Sequence, residues 1–261
     1  MIFLKTDKEL ELLKESNDLL GRTLAEMAKL IVPGVTTAKL DKIAEEYIRD
    51  NGGIPSCKGY QGFPATLCTS VNEQIVHGIP SEKTILKEGD IITIDTCVLK
   101  NGFHGDSAYT FPVGQVDPQT LNLLKTTKDC LYLGIQQAVH GKRLGDISFA
   151  IQNNAEKAGY QVVREFVGHG IGRDMHEEPE VPNYGRRGNG VVLKTGMVLA
   201  IEPMILSGRR NVIVENDGWT ARSADRKPAA HYELSIAVQQ GKPLILSTFD
   251  YIKDVLGDRF I

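Results

Sequence analysis

The part of the sequence that decides the fold is residues 91–113, IITIDTCVLKNGFHGDSAYTFPV. Two apolar segments flank the dipeptide Asn101-Gly102, which favours a two-residue type I′ turn because both of its central positions require a positive φ. Such a turn places Lys100 opposite Phe103. The segment is therefore predicted to form a β-hairpin with strands over 91–99 and 103–113.

The predicted hairpin brings two acidic residues together. In this register Asp95 faces Ala108 and Asp106 faces Cys97. Asp95 and Asp106 then lie on the same face of the sheet as diagonal neighbours, with Cα atoms about 7–8 Å apart. Two carboxylates at that separation can share metal ions. A slip of one residue would send them to opposite faces, so this prediction depends on the register.

Helical and strand patterns alternate along the rest of the chain. Apolar residues recur at helical spacing from Thr6 to about Ile31, where Thr6 and Glu9 form a capping box, and again from Leu40 to Ile48. Two further helices are predicted over roughly 120–139 and 146–158. Strands are predicted over 65–71, over the hairpin and from 162 to 246, with a short helix at the C-terminus.

The two halves of the chain resemble each other. Val-Pro-Gly at 32–34, Leu-Lys-Glu-Gly at 86–89 and Ile-Asp at 94–95 recur as Val-His-Gly at 139–141, Leu-Lys-Thr-Gly at 193–196 and Ile-Glu at 201–202. All three pairs share one offset of 107 residues, the distance from Gly34 to Gly141. We expect one α+β domain over residues 1–261, with two pseudo-symmetric helix-helix-strand halves, roughly 1–113 and 114–246, merged into one antiparallel sheet.

Composition excludes several classes of protein. Basic and acidic residues, 30 and 33 in number, are interleaved and leave a net charge of −3. No basic stripe indicates a nucleic-acid surface, and no apolar run reaches the roughly 18 residues of a membrane span. The N-terminus shows no signal peptide, and the four cysteines lack CxxC spacing. They are predicted to be reduced thiols in a cytoplasmic protein.

Two glutamates belong to the same predicted site. Glu202 follows the apolar segment 196–201, and Glu233 lies in another predicted strand. A buried, isolated Glu would be strongly destabilising or would shift its pKa to remain neutral. Two divalent cations would balance the charge of four carboxylates, and carboxylates with one imidazole suit Mn, Fe(II), Co or Zn.

These motifs resemble a known family. The segments are GDIITID (89–95), HGD (104–106), GHGIGR (168–173), HEEP (176–179), AIEP (200–203), YE (232–233) and SVNEQIVHGIP (70–80). Together they are similar to type I methionine aminopeptidases over nearly the whole chain, in the short bacterial form without the N-terminal zinc-binding extension. The resemblance implies a pita-bread fold, in which the two halves surround a curved antiparallel sheet with helices on its outer face.

The resemblance also assigns roles to residues. It implies two divalent metal ions, Co, Mn, Fe(II) or Zn, held by Asp95, Asp106, His169, Glu202 and Glu233. Glu202 would be the general base, His176 would stabilise the oxyanion, and His77 would hydrogen-bond the peptide nitrogen. The implied substrate pocket also includes His77 and His176; its other members are Cys57, Tyr60, Phe63, Cys68, Met175 and Trp219.

The implied activity is removal of N-terminal methionine from peptides and nascent proteins whose second residue is small. We also expect a monomeric protein of the cytoplasm that associates with the ribosome. Nucleic-acid and membrane partners are not expected. The distances between motifs argue against other members of the superfamily. Prolidases and aminopeptidase P carry an extra N-terminal domain, and type II methionine aminopeptidases carry an insertion between the two glutamates.

The chain departs from the family pattern beside one implied ligand. His231 stands where the family usually has Gln, and Leu234-Ser235 replace a His-Thr pair; Gln61 and Met175 also differ from many relatives. Two alternatives stay open, and these changes support only the first. One is a catalytically weakened relative that binds peptides, and the other is a different metallopeptidase of the superfamily, directed at Xaa-Pro bonds.

Overall fold

The computed structural model describes residues 1–261 and contains five α-helices. They are α1 Asp7–Leu30, α2 Thr37–Asp50, α3 Pro118–Ile135, α4 Leu144–Lys157 and α5 Asp250–Leu256. The predicted capping box begins α1: the Thr6 hydroxyl accepts from the Glu9 backbone N–H, and the Glu9 carboxylate accepts from the Thr6 N–H. No helix combines the length and the apolar character that crossing a membrane requires.

Fifteen β-strands make up the rest of the regular structure. They are β1 Ile54–Pro55, β2 Cys68–Val71, β3 Gln74–Val76, β4 Ile91–Lys100, β5 Phe103–Pro112, β6 Gln161–Val162, β7 Gly168–Gly170, β8 Glu177–Val181, β9 Val198–Ile201, β10 Met204–Leu206, β11 Val212–Val214, β12 Ala221–Ser223, β13 Ala229–His231, β14 Glu233–Ala237 and β15 Leu244–Ile245.

The strands form one large sheet and two small ones. The nine-stranded sheet has the order β1-β4-β5-β14-β9-β7-β8, with β2 paired to β4 and β15 paired to β14. The small sheets have the orders β13-β10-β6 and β11-β12-β3. Every pair of strands is antiparallel, as predicted. β5 and β14 join the two halves of the chain at the centre of the large sheet.

The predicted hairpin register is confirmed. β4 and β5 pair from Ile91↔Pro112 to Lys100↔Phe103, with Asp95 opposite Ala108 and Cys97 opposite Asp106. Asn101 and Gly102 form the turn at φ values of 53° and 78°. These are the positive values that the type I′ turn requires.

The helices cover one face of the large sheet. Ile94 and Tyr109 are opposite each other in the hairpin and belong to a core cluster of 39 buried residues, which also includes Leu24 and Met27 of α1. Because side chains alternate along a strand, Asp95 and Ala108 must project from the other face. The amphipathic hairpin therefore separates a helix-covered core from a polar site.

The offset of 107 residues recurs in the structure. It separates the first residues of α2 and α4, Thr37 and Leu144, and those of β4 and β9, Ile91 and Val198. These matches support the predicted internal repeat. The division into halves over 1–113 and 114–246 within one catalytic domain remains a prediction.

Two predicted elements are shorter in the structure. The strand predicted from Ala65 begins at Cys68, because the backbone N–H groups of Thr66 and Leu67 donate to Asp41 Oδ1 instead of to a neighbouring strand. The helix predicted to reach residue 139 ends at Ile135. Beyond it, Val139 forms a parallel bridge with Gln239, which ties this end of the helix to the sheet.

Candidate metal centre and substrate pocket

One row of side chains crosses three strands at the centre of the sheet. Ala108 of β5 pairs with Asp95 of β4 on one side and with Glu233 of β14 on the other. Directly paired residues project from the same face, so both carboxylates flank a methyl group. The small Ala108 side chain leaves space between them. β9 and β14 pair Ile201 with Leu234, so the next residue after β9, Glu202, lies beside Glu233.

A second row contributes an aspartate and a histidine. Asp106 lies opposite Cys97, and His169 of β7 pairs with Ala200 of β9. Gly168 and Gly170 flank His169. A Cβ at Gly168 would lie 2.4 Å from the Ala200 carbonyl oxygen, and a Cβ at Gly170 would lie 2.3 Å from the Glu178 carbonyl oxygen. Glycine at both positions therefore allows the neighbouring strands to approach His169 closely.

The two rows converge on one point. Ligand atoms of Asp106, His169 and Glu233 all lie within 4.8 Å of one another, and all three residues are buried. His169 Nε2 lies 3.6 Å from Asp106 Oδ2 and 3.6 Å from Glu202 Oε1. These distances are too long for hydrogen bonds, and they leave room for a cation between the ligand atoms.

The protonation state of His169 suits metal binding. Its Nδ1 lies 2.9 Å from the Gly170 carbonyl oxygen, which can only accept, so Nδ1 carries the hydrogen. Nε2 is then an unprotonated nitrogen that faces the carboxylates. Burial lowers the pKa of His169 to about 3, so the ring is neutral at physiological pH. A neutral imidazole held by a carbonyl at its other nitrogen is the usual form of a histidine ligand.

The carboxylates lack the partners that a buried charge requires. Burial raises the pKa of Asp106 to about 8, and burial together with neighbouring carboxylates raises the pKa of Asp95, Glu202 and Glu233. Asp106 Oδ1 and Glu233 Oε1 are buried without any hydrogen-bond partner. Divalent cations would supply both the missing charge and the missing ligands. The residues present therefore fit a divalent metal site.

All thirteen predicted site residues line one cavity. It has a volume of ≈ 250 Å³, and its lining includes the five acidic and imidazole ligand candidates. An apolar cluster beside them contains the predicted pocket residues Cys57, Tyr60, Phe63, Cys68, Met175 and Trp219. Cys68 pairs directly with Asp95 across β2 and β4. Phe63 and Trp219 meet edge to face with ring centroids 5.2 Å apart. The cysteines are all free thiols.

The two further predicted histidines stand at the side of the cavity. His176 Nδ1 lies 2.8 Å from the Tyr60 hydroxyl, and its ring packs on His169 with centroids 4.3 Å apart. His77 adopts a positive φ of 60° and packs edge-on against Phe166. Burial lowers the pKa values of His77 and His176. Both rings are therefore neutral hydrogen-bonding groups at physiological pH.

Sequence reasoning missed several residues of the cavity. Cys97 is a third thiol on its wall, and its backbone N–H donates to Cys57 Sγ at 3.3 Å. The hairpin register already contained this information, because Cys97 lies opposite Asp106. The other missed residues are Val76, Phe166 and Val167, which come from loops and a small sheet, whereas Gln61, already noted in the sequence, also lines the cavity. No local pattern in the sequence indicates that those segments approach the site.

Comparisons with known proteins agree with this geometry. Residues 11–240 match metallopeptidase family M24. The methionine aminopeptidase of Clostridium acetobutylicum is 49% identical over 95% of this chain and 99% of its own length. The crystal structure of methionine aminopeptidase from Thermotoga maritima superposes with a TM-score of 0.93 and 41% identity, covering 95% of this chain and 100% of that one. The predicted pita-bread fold is therefore confirmed.

A more distant structure shares the fold alone. The prolidase from Pyrococcus horikoshii has a TM-score of 0.74 at 18% identity, and the match covers 94% of this chain but 63% of that one.

Proposed function

Because the chain belongs to metallopeptidase family M24, with close relatives named methionine aminopeptidase, we propose that it removes N-terminal methionine from peptides. The observation that carries this proposal is the single cavity. Its lining brings buried carboxylates and His169 together with thiol, thioether and aromatic groups. This soft apolar part of the cavity suits the unbranched thioether of methionine.

The family and the buried cluster indicate a divalent metal centre, and we propose that it holds two ions, Mn, Fe(II), Co or Zn. The proposed ligands are Asp95, Asp106, His169, Glu202 and Glu233. When bound, such ions polarise a carbonyl group and make water more acidic. Two divalent charges would offset four carboxylates whose pKa values burial raises.

Residues of the chain itself carry the proton transfers and the positioning. Glu202 is partly exposed to the cavity and takes the proton of the attacking water as general base. If the Tyr60 hydroxyl donates to His176 Nδ1, then His176 Nε2–H remains free to donate to the developing oxyanion. His77, held beside Phe166 and Trp219, donates to the nitrogen of the scissile peptide.

The substrates follow from the cavity. We propose that the cavity accepts one unbranched side chain and that crowding beyond it restricts the second residue of the substrate to small ones. We propose nascent proteins as natural substrates, which is compatible with ribosome association. A monomer and a cytoplasmic location remain predictions from the sequence.

The proposal is tested by the release of free methionine from the peptide Met-Ala-Ser. The protein is stripped with a chelator, and Mn, Fe(II), Co and Zn are then titrated separately while bound metal is counted. We expect activity to return with at least one ion, at two ions per chain. The exposed Glu180 of β8 offers a control, since Glu180→Gln should leave both readouts unchanged.

Two results would contradict the proposal. Folded protein that releases no methionine with any ion would indicate a peptide-binding relative without catalysis. Faster hydrolysis of Xaa-Pro dipeptides than of Met-Ala-Ser would indicate the proline-directed activity instead.

A further inference from the structure

One buried imidazole beside the site has no hydrogen-bond partner. His231 ends β13 and is 1% exposed, and neither of its ring nitrogens has a partner in the protein. A buried polar group left unsatisfied costs about 1–3 kcal/mol. An unsatisfied buried imidazole beside the site therefore calls for a functional explanation.

The carboxylate of Glu202 lies near the His231 ring. His231 Nε2 lies 3.7 Å from Glu202 Oε2, and on the other side His169 Nε2 lies 3.6 Å from Glu202 Oε1. The carboxylate therefore stands between two imidazoles, with one beside each oxygen. A carboxylate can only accept, so this contact can shorten into a hydrogen bond, by a small rotation of the Glu202 side chain, only when Nε2 carries the hydrogen.

The strand register fixes this arrangement. β10 and β13 pair Met204 with His231. β9 and β14 pair Ile201 with Leu234. Both pairings belong to one continuous register, which runs through Glu202. Glu202 and His231 are therefore diagonal neighbours, whose side chains share a face. The backbone of His231 is held at both ends by Thr110, whose hydroxyl donates to the His231 carbonyl and accepts from its N–H.

His231 is distinct from the metal ligand candidates. The five proposed ligands, Asp95, Asp106, His169, Glu202 and Glu233, all line the cavity, whereas His231 does not. We therefore assign His231 a contact with Glu202 and not with an ion.

We infer that His231 is a positioning residue, whose Nε2–H donates to Glu202 Oε2 and fixes the carboxylate so that Oε1 faces His169. This inference rests on the proposed function, since it assigns the general base to Glu202. The hydrogen bond limits rotation of the Glu202 side chain. It therefore acts on the chemical step more than on substrate binding.

The test compares two substitutions of the same residue. His231→Leu fills a similar volume but cannot donate, whereas His231→Gln retains a donor. Loss of an outer partner of a metal site typically costs about 10–100-fold in activity or affinity. We expect that loss in kcat for His231→Leu, with KM changed less than twofold, and recovery of most of kcat in His231→Gln. The exposed His140→Leu is the matched control.

Two readouts do not depend on activity. Titration of chelator-stripped protein with Mn(II) alone should show weaker binding in His231→Leu than in the wild type, with His231→Gln in between. Nitrogen NMR of the His231 ring should show the hydrogen on Nε2. A melting temperature of His231→Leu equal to or above the wild type would exclude a merely structural effect, because that change removes an unsatisfied buried polar group.

Other outcomes would overturn the inference. These are an unchanged kcat and Mn(II) affinity in His231→Leu, a loss confined to KM, or the hydrogen on Nδ1. If the wild type releases no methionine with any ion, the proposed function fails on its own. The ring tautomer and the Mn(II) titration would still decide whether His231 holds Glu202.

Discussion

The two halves of the sheet contribute to the metal centre in different ways. The N-terminal half supplies Asp95 and Asp106 from one hairpin, whose ten consecutive pairs are in register. The C-terminal half supplies His169, Glu202 and Glu233 from the short strands β7, β9 and β14 or from just beyond them. The turn of a hairpin sets the register of its two strands, whereas the register of the strands in the second half is set by their pairing with neighbouring strands. The first half is therefore expected to hold ions rigidly, and the second to hold groups that take part in the chemistry.

The sharpest test of this difference is Glu202→Gln. The amide keeps an oxygen for the metal but cannot accept a proton from water. General base catalysis typically contributes about 10²–10⁴-fold, so we expect kcat to fall by that range while bound metal is retained. Asp95→Asn, in the hairpin, should instead lose metal affinity. Methionine release and metal content are measured on the same samples, and an unchanged kcat in Glu202→Gln would remove that residue from the general-base role.

The second prediction concerns the residue between the two halves. Ala108 is fully buried and lies between Asp95 and Glu233, so Ala108→Val would fill the space between their carboxylates. We expect metal affinity to fall and turnover to drop by roughly 10²-fold, the effect of a displacement of about 1 Å in an active site. Every proposed ligand remains in place in this variant.

The control for Ala108→Val is Ala138→Val, which adds the same volume at another fully buried position, outside the cavity. It should lower the melting temperature, since overpacking costs about 1–3 kcal/mol, but leave metal affinity intact. Equal effects of the two substitutions on metal affinity would contradict the placement of the ions beside Ala108.

The sequence predicted the first half of the site better than the second. The Asn101-Gly102 turn fixed every pair of the hairpin, and with it the positions of Asp95 and Asp106. Glu202 and Glu233 were recognised as buried acids in apolar segments, but only the family resemblance added His169 and assigned all three to one metal site, because their approach depends on pairing between distant strands. The contact of His231 with Glu202 was missed for the same reason. Local periodicity specifies which face a residue occupies but not which strand becomes its neighbour.

A third prediction concerns how the N-terminus supports the pocket. Lys5 Nζ lies 2.5 Å from Glu177 Oε2, and both side chains are 5% exposed. Glu177 Oε1 accepts from the Arg173 backbone N–H, so the pair braces the segment that carries Met175 and His176. Lys5→Met leaves a buried carboxylate unpaired, which typically costs about 3–5 kcal/mol.

For Lys5→Met we expect kcat/KM to fall roughly tenfold, equivalent to about 1.4 kcal/mol of transition-state stabilisation. We expect metal affinity to change little, because no proposed ligand belongs to this segment. Lys5→Arg should restore activity, and Lys8→Met, at an exposed position of α1, is the control. A loss of bound metal in Lys5→Met would show that the segment also positions His169, on which the His176 ring packs.

The smallest expected effect is on stability and needs no substrate. In chelator-stripped protein the pKa of Asp106 is raised to about 8 by burial, so the folded chain keeps a proton that the unfolded chain has lost. Stability must then fall as pH rises from 7 to 8, by up to about 1.4 kcal/mol per pH unit for each such carboxyl. The histidines with lowered pKa values oppose this slope near pH 7, where each unfolded imidazole still binds a fraction of a proton, and their opposition fades towards pH 8.

Melting temperatures between pH 7 and 8 measure this slope, since 1 kcal/mol shifts Tm by roughly 2–4 °C in a chain of this size. Asp106→Asn should flatten it, and Glu233→Gln should do so at least as much, because neighbouring Asp106 and Glu202 add to burial in raising the pKa of Glu233. Asp254→Asn, at an exposed position of α5, should leave it unchanged. Added metal should reverse the slope, because ions compete with protons for the same oxygens. A stripped protein that becomes more stable with rising pH would mean that these carboxyls are already charged, with partners other than metal.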